Sequence, residues 1–151
     1  MGGRKVRLER TVSVDIPVRR AFDYLADFTA TTEWDPGTVS TVRCTGDGGV
    51  GTTYRNTSRF LGRETSLIYV VEDLVTDELV RLRGENTTVI SVDTMSFRQC
   101  GSRTEVTYTA EFTVKGASRL LAPLLKPAFT RLGDHAEARL RSALLRLTNG
   151  R

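Results

Sequence analysis

The chain has 151 residues, of which 39% are hydrophobic and 26% are charged, and its formal net charge is +4 at pH 7. This length fits one domain that buries about 68–70% of its unfolded surface, and the composition excludes a disordered or fibrous chain. No stretch approaches the ~20 apolar residues of a membrane-spanning helix. We therefore expect a single cytoplasmic domain over residues 1–151, without a signal peptide, a lipid anchor or stable membrane insertion.

The positive charge is concentrated at the C-terminal end. Residues 118–151 carry seven Lys or Arg and two Asp or Glu, a net charge of +5, whereas residues 1–117 have a net charge of −1. A basic segment of this kind can bind nucleic acid or anionic lipid. A solvated helix face is the commoner explanation for such a charge run. We favour that interpretation and expect no nucleic-acid partner.

The sequence offers few residues for thiol, metal or cofactor chemistry. Cys44 and Cys100 are the only cysteines and are expected to be free, and His135 is the only histidine. A zinc site needs four convergent ligands, which this set does not supply. The glycines within residues 46–51 have the spacing of a dinucleotide-binding loop, but the sequence after them continues as a strand rather than a helix. We expect a hairpin turn there, and neither a metal nor another cofactor.

The first part of the chain predicts one strand and two short helical segments. Alternating apolar residues predict a strand over residues 5–16. Pro17 ends this strand and suits the first turn of a helix over residues 18–27. A weaker helical segment follows over residues 29–34. The Asp-Pro-Gly sequence at 35–37 ends it, because the residue before a proline is pushed out of helical geometry.

Six further strands are predicted between this point and residue 115. Turn residues separate runs rich in Thr, Val and Tyr, which is the pattern of successive β-hairpins. Strands joined by such short turns must be antiparallel. The predicted strands cover residues 39–45, 51–60, 64–74, 78–84, 88–98 and 103–114.

A long helix is predicted after Gly116, where the hydrophobic period changes to 3.6 residues. Pro123 and Pro127 lie near its beginning, and a proline inside a helix costs about 3 kcal/mol. We therefore expect a kink or a separate first segment before residue 128. The apolar stripe of this helix consists of Leu121, Leu125, Phe129, Leu132, Ala136, Leu140, Ala143 and Leu147.

The widths of the predicted sheet and helix predict an internal cavity. Seven strands form a sheet ~34 Å wide, whereas one helix with its side chains is about 10–12 Å across. The sheet must therefore curl around the helix, which leaves space between the two. The inner faces of the strands also carry polar residues, among them Asn56, Ser58 and Asp93. Because an unsatisfied buried polar group costs on the order of 1–3 kcal/mol, we expect water or a ligand there.

Six short motifs occur in a characteristic order along the chain. They are IPV at 16–18, AFDYL at 21–25, EWDPG at 33–37, GT at 51–52, FLGR at 60–63 and GSRTEV at 101–106. With the order of elements, they make nearly the whole chain resemble the START-like (SRPBCC) superfamily, and within it the polyketide cyclase/dehydrase and lipid transport branch. The resemblance implies an α+β helix-grip fold. In this fold a curved seven-stranded antiparallel sheet wraps around a long C-terminal helix, with two short helices after strand 1.

The resemblance leaves the activity open, because the family includes binders, lipid carriers and cyclases. The first hypothesis is the binding of a hydrophobic small molecule, polyketide- or lipid-like, in the cavity between sheet and helix. The second, which the resemblance implies, is a polyketide cyclase/dehydratase that catalyses aldol-type ring closure and water loss there. A regulatory domain with an exposed apolar patch is a third hypothesis. Both a monomer and a homodimer agree with the sequence.

Candidate ligand-binding residues come from the inner faces of the predicted strands and helix. They are Trp34, Tyr54, Asn56, Ser58, Phe60, Tyr69, Asp93, Met95, Phe97, Tyr108, Phe112, Leu132 and Ala136. The tryptophan lies at the turn between the second helical segment and the sheet, where it either covers the cavity or packs on the short helices. The tyrosines either pack within the sheet or present an unpaired phenol to the ligand.

The candidate catalytic residues are Asp93, His135, Tyr108 and Arg139. Burial should raise the pKa of Asp93 unless a cation pairs with it, and a group of this kind can transfer protons. If the strand slips at a bulge, or ends nearby, Asp93 is instead exposed. Arg139 lies about 60° and His135 about 100° from the centre of the apolar stripe. Arg139 therefore either reaches inward, to pair with Asp93 or polarise a carbonyl, or extends into solvent.

Overall fold

A computed structural model gives the fold and describes residues 4–116 and 122–149. The strands are β1 (Arg4–Val14), β2 (Thr38–Thr45), β3 (Thr53–Phe60), β4 (Arg63–Val75), β5 (Leu79–Glu85), β6 (Val89–Cys100) and β7 (Arg103–Val114). The helices are α1 (Val18–Ala26), α2 (Thr31–Trp34) and α3 (Ala122–Asn149), with a 3₁₀ turn at Phe28–Ala30. The bounds of the strands and of the short helices agree with the predicted ones to within two residues.

The strands form one antiparallel sheet in the order β1-β7-β6-β5-β4-β3-β2. Strands β2 to β7 follow one another as hairpins, because their short turns allow only antiparallel neighbours. The first and last strands then pair with each other, with Arg4 opposite Val114 and Val14 opposite Thr104. The sheet curves around α3, and this arrangement confirms the predicted helix-grip fold.

One face of the sheet is buried beneath the helices. In β7, Val106, Tyr108 and Ala110 are buried, whereas the residues between them are partly exposed. This alternation follows from the two-residue period of a strand, and it places the inner side chains on the concave face of the sheet. The core therefore lies between the concave face of the sheet and the helices.

Arg10 holds α3 against the edge of the sheet formed by β1. Its Nη2 donates to Oδ1 of Asp134 at 2.9 Å and to the carbonyl oxygen of Thr130 at 3.2 Å. Gly133 makes room for this guanidinium, because a Cβ at that position would lie 3.0 Å from Arg10 Nη2. The backbone of α3 consequently lies close to β1 and α2, at one side of the concave face. No helix within the described residues is long and apolar enough to cross a membrane.

The long helix is continuous through both prolines. Pro123 is the second residue of α3, in the first turn, where backbone N–H groups have no partner in the helix. Only Pro127 lies inside the helix, and the apolar residues on either side of it, Leu125 and Phe129, pack against the core. The prediction of a separate first segment before residue 128 is therefore wrong, since one missing hydrogen bond does not end a helix that tertiary packing supports. Leu121, the first residue of the predicted stripe, lies outside the described residues.

The glycines within residues 46–51 form the turn between β2 and β3, as predicted. Gly46 has a φ of +91°, in the left-handed region that favours glycine. A Cβ on Gly46 would also lie 2.7 Å from the Cα of Thr52, which has no room to move. The spacing thus reflects a tight hairpin turn and not a dinucleotide-binding loop.

Candidate functional site

A cavity of about 370 Å³ lies between the concave face of the sheet and α3. Its volume falls within the range of small-molecule pockets. Apolar and aromatic side chains from β4, β7 and α3 form much of its wall, among them Leu67, Ala110 and Leu132. The cavity exists because α3 lies near one side of the sheet, so that the middle strands curve away from the helix.

The inner row of β4 shows how the cavity is oriented. Arg63, Thr65, Leu67 and Tyr69 lie on the same face of this strand, and all four line the cavity. The first two are exposed and the last two are buried. The mouth is therefore at the β3–β4 hairpin, and the floor is near Tyr69. The six residues of extended chain from Arg63 to Tyr69 span about 20 Å.

Three phenylalanines connect the sheet to α3 near the mouth. The ring of Phe129 stacks on Phe60 with centroids 4.7 Å apart, and on Phe112 with centroids 4.9 Å apart. The first partner is the last residue of β3 and the second belongs to β7, so the helix side chain bridges two strands. This stack forms an apolar part of the cavity wall.

Asp93 and its hydrogen-bond donors form the polar floor. Ser91 Oγ donates to Oδ1 of Asp93 at 2.8 Å, and Tyr108 Oη donates to Oδ2 at 2.9 Å. Tyr69 Oη is 3.4 Å from Oδ1, a long contact. Asp93 lies in the middle of β6 and is only 7% exposed, so its strand neither ends nor slips at this position. A carboxylate offers about four acceptor sites, which leaves capacity for one donor from a ligand.

Burial changes the protonation of these groups. It raises the pKa of Asp93 to about 6, an effect that the hydrogen bonds from Ser91 and Tyr108 only partly offset and that the nearby Asp35 carboxylate strengthens. Burial also raises the pKa of Tyr69 and of Tyr108 well above the usual value, and the negative charge of Asp93 adds to both shifts. The two phenols are therefore hydrogen-bond donors at neutral pH, while Asp93 changes charge near pH 6.

Asp35 is a second acid in the cavity wall, and sequence reasoning assigned it only to a turn. Its Oδ1 accepts from the backbone N–H of Gly37 at 3.0 Å, and its Oδ2 accepts from Thr38 Oγ1 at 2.9 Å. Burial raises its pKa, and the hydrogen bonds from Gly37 and Thr38, followed by the charge of Arg139, offset this in part. No local sequence pattern reveals this role of Asp35, because it depends on the nearness of Asp35 to Asp93, and the two residues are far apart in the chain.

The amide nitrogen of Asn56 finds both of its partners within the protein. Its Nδ2 donates to Thr38 Oγ1 at 3.0 Å and to Thr41 Oγ1 at 2.8 Å. Among the residues that the structure describes, every buried side-chain nitrogen and oxygen has a partner. The expectation that inner polar groups need water or a ligand is therefore wrong for the Asn56 amide nitrogen and for Asp93, which have partners within the protein. For Ser58 it stays a prediction.

Nine of the thirteen predicted ligand-binding residues line the cavity: Asn56, Ser58, Phe60, Tyr69, Asp93, Tyr108, Phe112, Leu132 and Ala136. The other four, Trp34, Tyr54, Met95 and Phe97, are buried in the core outside that lining. Trp34 packs edge-on against the ring of Tyr108, with centroids 5.1 Å apart, and thus lies behind the wall. The ligand contacts proposed for all thirteen residues remain predictions.

The four predicted catalytic residues do not come together. Asp93 and Tyr108 are hydrogen-bonded at the floor, whereas His135 is exposed and lies outside the cavity lining. Arg139 is also exposed, and its Nη2 donates to the backbone carbonyl of Glu33 at 3.0 Å. Arg139 therefore extends toward α2, and it forms no ion pair with Asp93 among the described residues.

Gly84 positions Tyr69, a role that sequence reasoning missed. The two residues are opposite each other on β4 and β5. A Cβ on Gly84 would lie 2.8 Å from three atoms of the Tyr69 ring. The ring therefore lies directly over the glycine backbone, and this packing holds the phenol near Asp93. A glycine within a strand often marks such a close approach, which is the signal available in the sequence.

The described residues offer no cluster for a metal ion. Within residues 4–116 and 122–149, no three His, Cys, Asp or Glu side chains are grouped so as to hold one. Cys44 is exposed, Cys100 is partly buried, and both are free thiols. The sequence-based expectation that the protein works without a metal or cofactor stays a prediction.

Comparison with known families identifies the family of this chain. Residues 5–144 match the family model described as polyketide cyclase / dehydrase and lipid transport. Because this match covers most of the chain, the protein belongs to that family, as its motifs predicted. No match to a curated protein was found by sequence.

Several solved structures share this fold. The Zhui aromatase/cyclase from Streptomyces sp. R1128 has a TM-score of 0.75 and 16% identity, over 94% of this chain and 92% of that chain. A START superfamily protein from Mycobacterium smegmatis has a TM-score of 0.75 and 16% identity, over 93% and 98%. A protein from Thermus thermophilus has a TM-score of 0.71 and 18% identity, over 93% and 99%. At such identities the likeness establishes the fold alone.

Proposed function

We propose that the protein binds a hydrophobic small molecule, polyketide- or lipid-like, in the cavity between the sheet and α3. The observation that carries this proposal is a cavity of about 370 Å³ whose wall is largely apolar and which holds two hydrogen-bonded acids, Asp93 and Asp35. Transfer of an apolar ligand from water into such a space supplies about 25 cal/mol for each Å² buried.

The few polar groups of the cavity are suited to orienting a ligand rather than to binding a highly polar one. Asp93 has one acceptor site to spare, and the oxygens of Tyr69 and Tyr108 can accept a hydrogen bond while donating to the carboxylate. A single hydroxyl or carbonyl on an apolar ligand can be satisfied there. A sugar or a nucleotide would bring many more polar groups than the apolar wall could pair, at a cost of about 1–3 kcal/mol each.

Filling part of the cavity is expected to weaken binding strongly without unfolding the protein. Leu132→Trp places an indole in the lining, whereas Leu147→Trp makes the same change on a partly buried position of α3 outside the lining. We expect the first variant to bind the neutral dye N-phenyl-1-naphthylamine at least tenfold more weakly, a loss of about 1.4 kcal/mol. The second variant should bind like the wild type. Fluorescence titration measures both, and equal affinities in the two variants would place the dye elsewhere.

A second candidate function is that of a polyketide cyclase/dehydratase, and the site at Asp93 favours it. An acid with a pKa of about 6 inside an apolar cavity is suited to general acid–base catalysis near neutral pH. The ionised carboxylate would remove a proton from the carbon between two ketones. That carbon would then form the new C–C bond while the carbonyl π bond breaks, and the resulting alkoxide would take the proton of Tyr108. In the loss of water, the Tyr108 phenolate would remove the second proton from the same carbon, and the carboxyl group of Asp93 would protonate the departing hydroxyl, which restores both side chains.

The catalytic hypothesis predicts a contrast between Asp93 and His135. In a reaction with a minimal polyketide synthase that makes a poly-β-ketone chain, Asp93→Asn is expected to reduce the yield of the cyclised product at least tenfold. His135→Ala should leave the product profile unchanged, since this side chain is exposed and outside the lining. Product profiles by liquid chromatography and mass spectrometry give the result. An unchanged profile with Asp93→Asn would leave binding as the function.

A further inference from the structure

Arg63 is an exposed arginine without an ion pair at the mouth of the cavity, among the described residues. It is the first residue of β4 and lies on the same face as Leu67 and Tyr69, so its side chain belongs to the cavity wall although it is exposed. It forms no ion pair within the described residues, and the remaining residues of the chain carry no Asp or Glu side chain. By contrast, the neighbouring Arg59 pairs with Glu64 at 2.6 Å.

The floor of the cavity has the opposite electrostatic character. Asp93 and Asp35 are both part of the wall. Among the described residues no Lys or Arg lies within ion-pair distance of either, and the charge of Arg139 only partly offsets the effect of burial on Asp35. A ligand with a negative charge would be repelled at this end, because two carboxylates in a poorly solvated site already raise each other's energy. The mouth, where a guanidinium is available and water remains accessible, is the part of the cavity that favours an anionic group.

We propose that Arg63 selects an apolar ligand that carries one terminal carboxylate. This inference rests on the proposed binding function and names the ligand class for the same cavity. The apolar body fills the space between α3 and the sheet, and the carboxylate remains at the mouth against Arg63. One unpaired guanidinium balances a single negative charge, and its planar donors match the two oxygens of a carboxylate.

The test compares two ligands of equal chain length that differ only in the terminal group, dodecanoate and dodecan-1-ol. Each displaces N-phenyl-1-naphthylamine from the wild type, from Arg63→Gln and from Arg55→Gln at pH 8. Arg55 is exposed and belongs to β3 outside the cavity lining, so its replacement removes the same charge from a different position. Because the ion pair at the mouth is solvated, we expect Arg63→Gln to weaken dodecanoate about three- to fivefold. Its affinity for dodecan-1-ol and both affinities of Arg55→Gln should remain at the wild-type values.

Two further measurements sharpen the result. Arg63→Glu is expected to weaken dodecanoate more than Arg63→Gln does, because it adds a repelling charge. The dodecanoate preference of the wild type should shrink between 50 and 500 mM NaCl, since salt screens exposed pairs. Equal effects of Arg63→Gln on both ligands, or no effect on either, would overturn the role of Arg63 while leaving the binding function intact. If neither ligand displaces the dye from the wild type, the proposed binding of lipid-like molecules itself fails.

Discussion

Relative to the wild type, Asp93→Asn should raise the free energy of unfolding by about 2 kcal/mol more at pH 7.5 than at pH 4.5. Folding raises the pKa of Asp93 from the ordinary carboxylate range to about 6, so the folded state holds this proton more tightly than the unfolded chain. As the pH rises from about 4 to above 6, the folded protein must give up a proton that the unfolded chain has already lost. The buried charge therefore destabilises the wild type at pH 7.5, and asparagine removes that penalty.

Urea unfolding of both proteins at the two pH values measures this difference. Asp23→Asn is the matched control, because Asp23 is exposed on α1 and its replacement removes the same charge. We expect the control to change the free energy of unfolding equally at both pH values. If Asp93→Asn behaves like the control, the Asp93 carboxylate is solvated and its pKa is not raised by burial.

Adding one methyl group at Gly84 is expected to destabilise the protein by about 2 kcal/mol, within the range for overpacked cores. The new Cβ of Gly84→Ala would lie 2.8 Å from the ring of Tyr69, which must move away from β5. That movement would bring the ring into the cavity and break its contact with Asp93. Thermal and urea unfolding give the stability, and dye binding reports the loss of cavity volume.

A double-mutant cycle separates this clash from a general preference against alanine at that position. Tyr69→Leu removes the ring, so Gly84→Ala should cost much less in the Tyr69→Leu background than in the wild type. We expect a coupling energy of about 1 kcal/mol or more between the two residues, as found for side chains in contact. Additive effects would show that the ring does not depend on the glycine.

The sequence predicted the inner faces of β3, β6 and β7 correctly, since that choice depends only on a period of two residues. The prediction that Asp93 faces inward is correct, because its strand alternates without a bulge from Ser91 to Phe97. The depth at which each residue lies could not be predicted in this way. On β6, Ser91 and Asp93 line the cavity, but Met95 and Phe97 on the same face do not.

The short helices decide where the cavity ends. Phe22 of α1 packs on Phe97, with ring centroids 5.4 Å apart, and Phe28 of the 3₁₀ turn packs on Tyr54 at 5.7 Å. These contacts fill the end of the concave face beyond Tyr69. These contacts join residues that are tens of positions apart in the chain, so no local sequence pattern contains them. For this reason Tyr54, Met95 and Phe97, which were predicted to contact a ligand, are instead buried in the core.

The sequence by itself determined the order of the elements, the antiparallel sheet, the inner faces of β3, β6 and β7 and the family, because these depend on local periodicity, turn residues and short motifs. Only the tertiary structure decided that Asp93 and Asp35 share one cavity, that Gly84 supports Tyr69, and that Arg139 extends toward α2. The physical reason is that hydrogen bonds, packing and pKa values depend on which side chains meet in space. These side-chain contacts depend on how strongly the sheet curves and on where each helix lies on it.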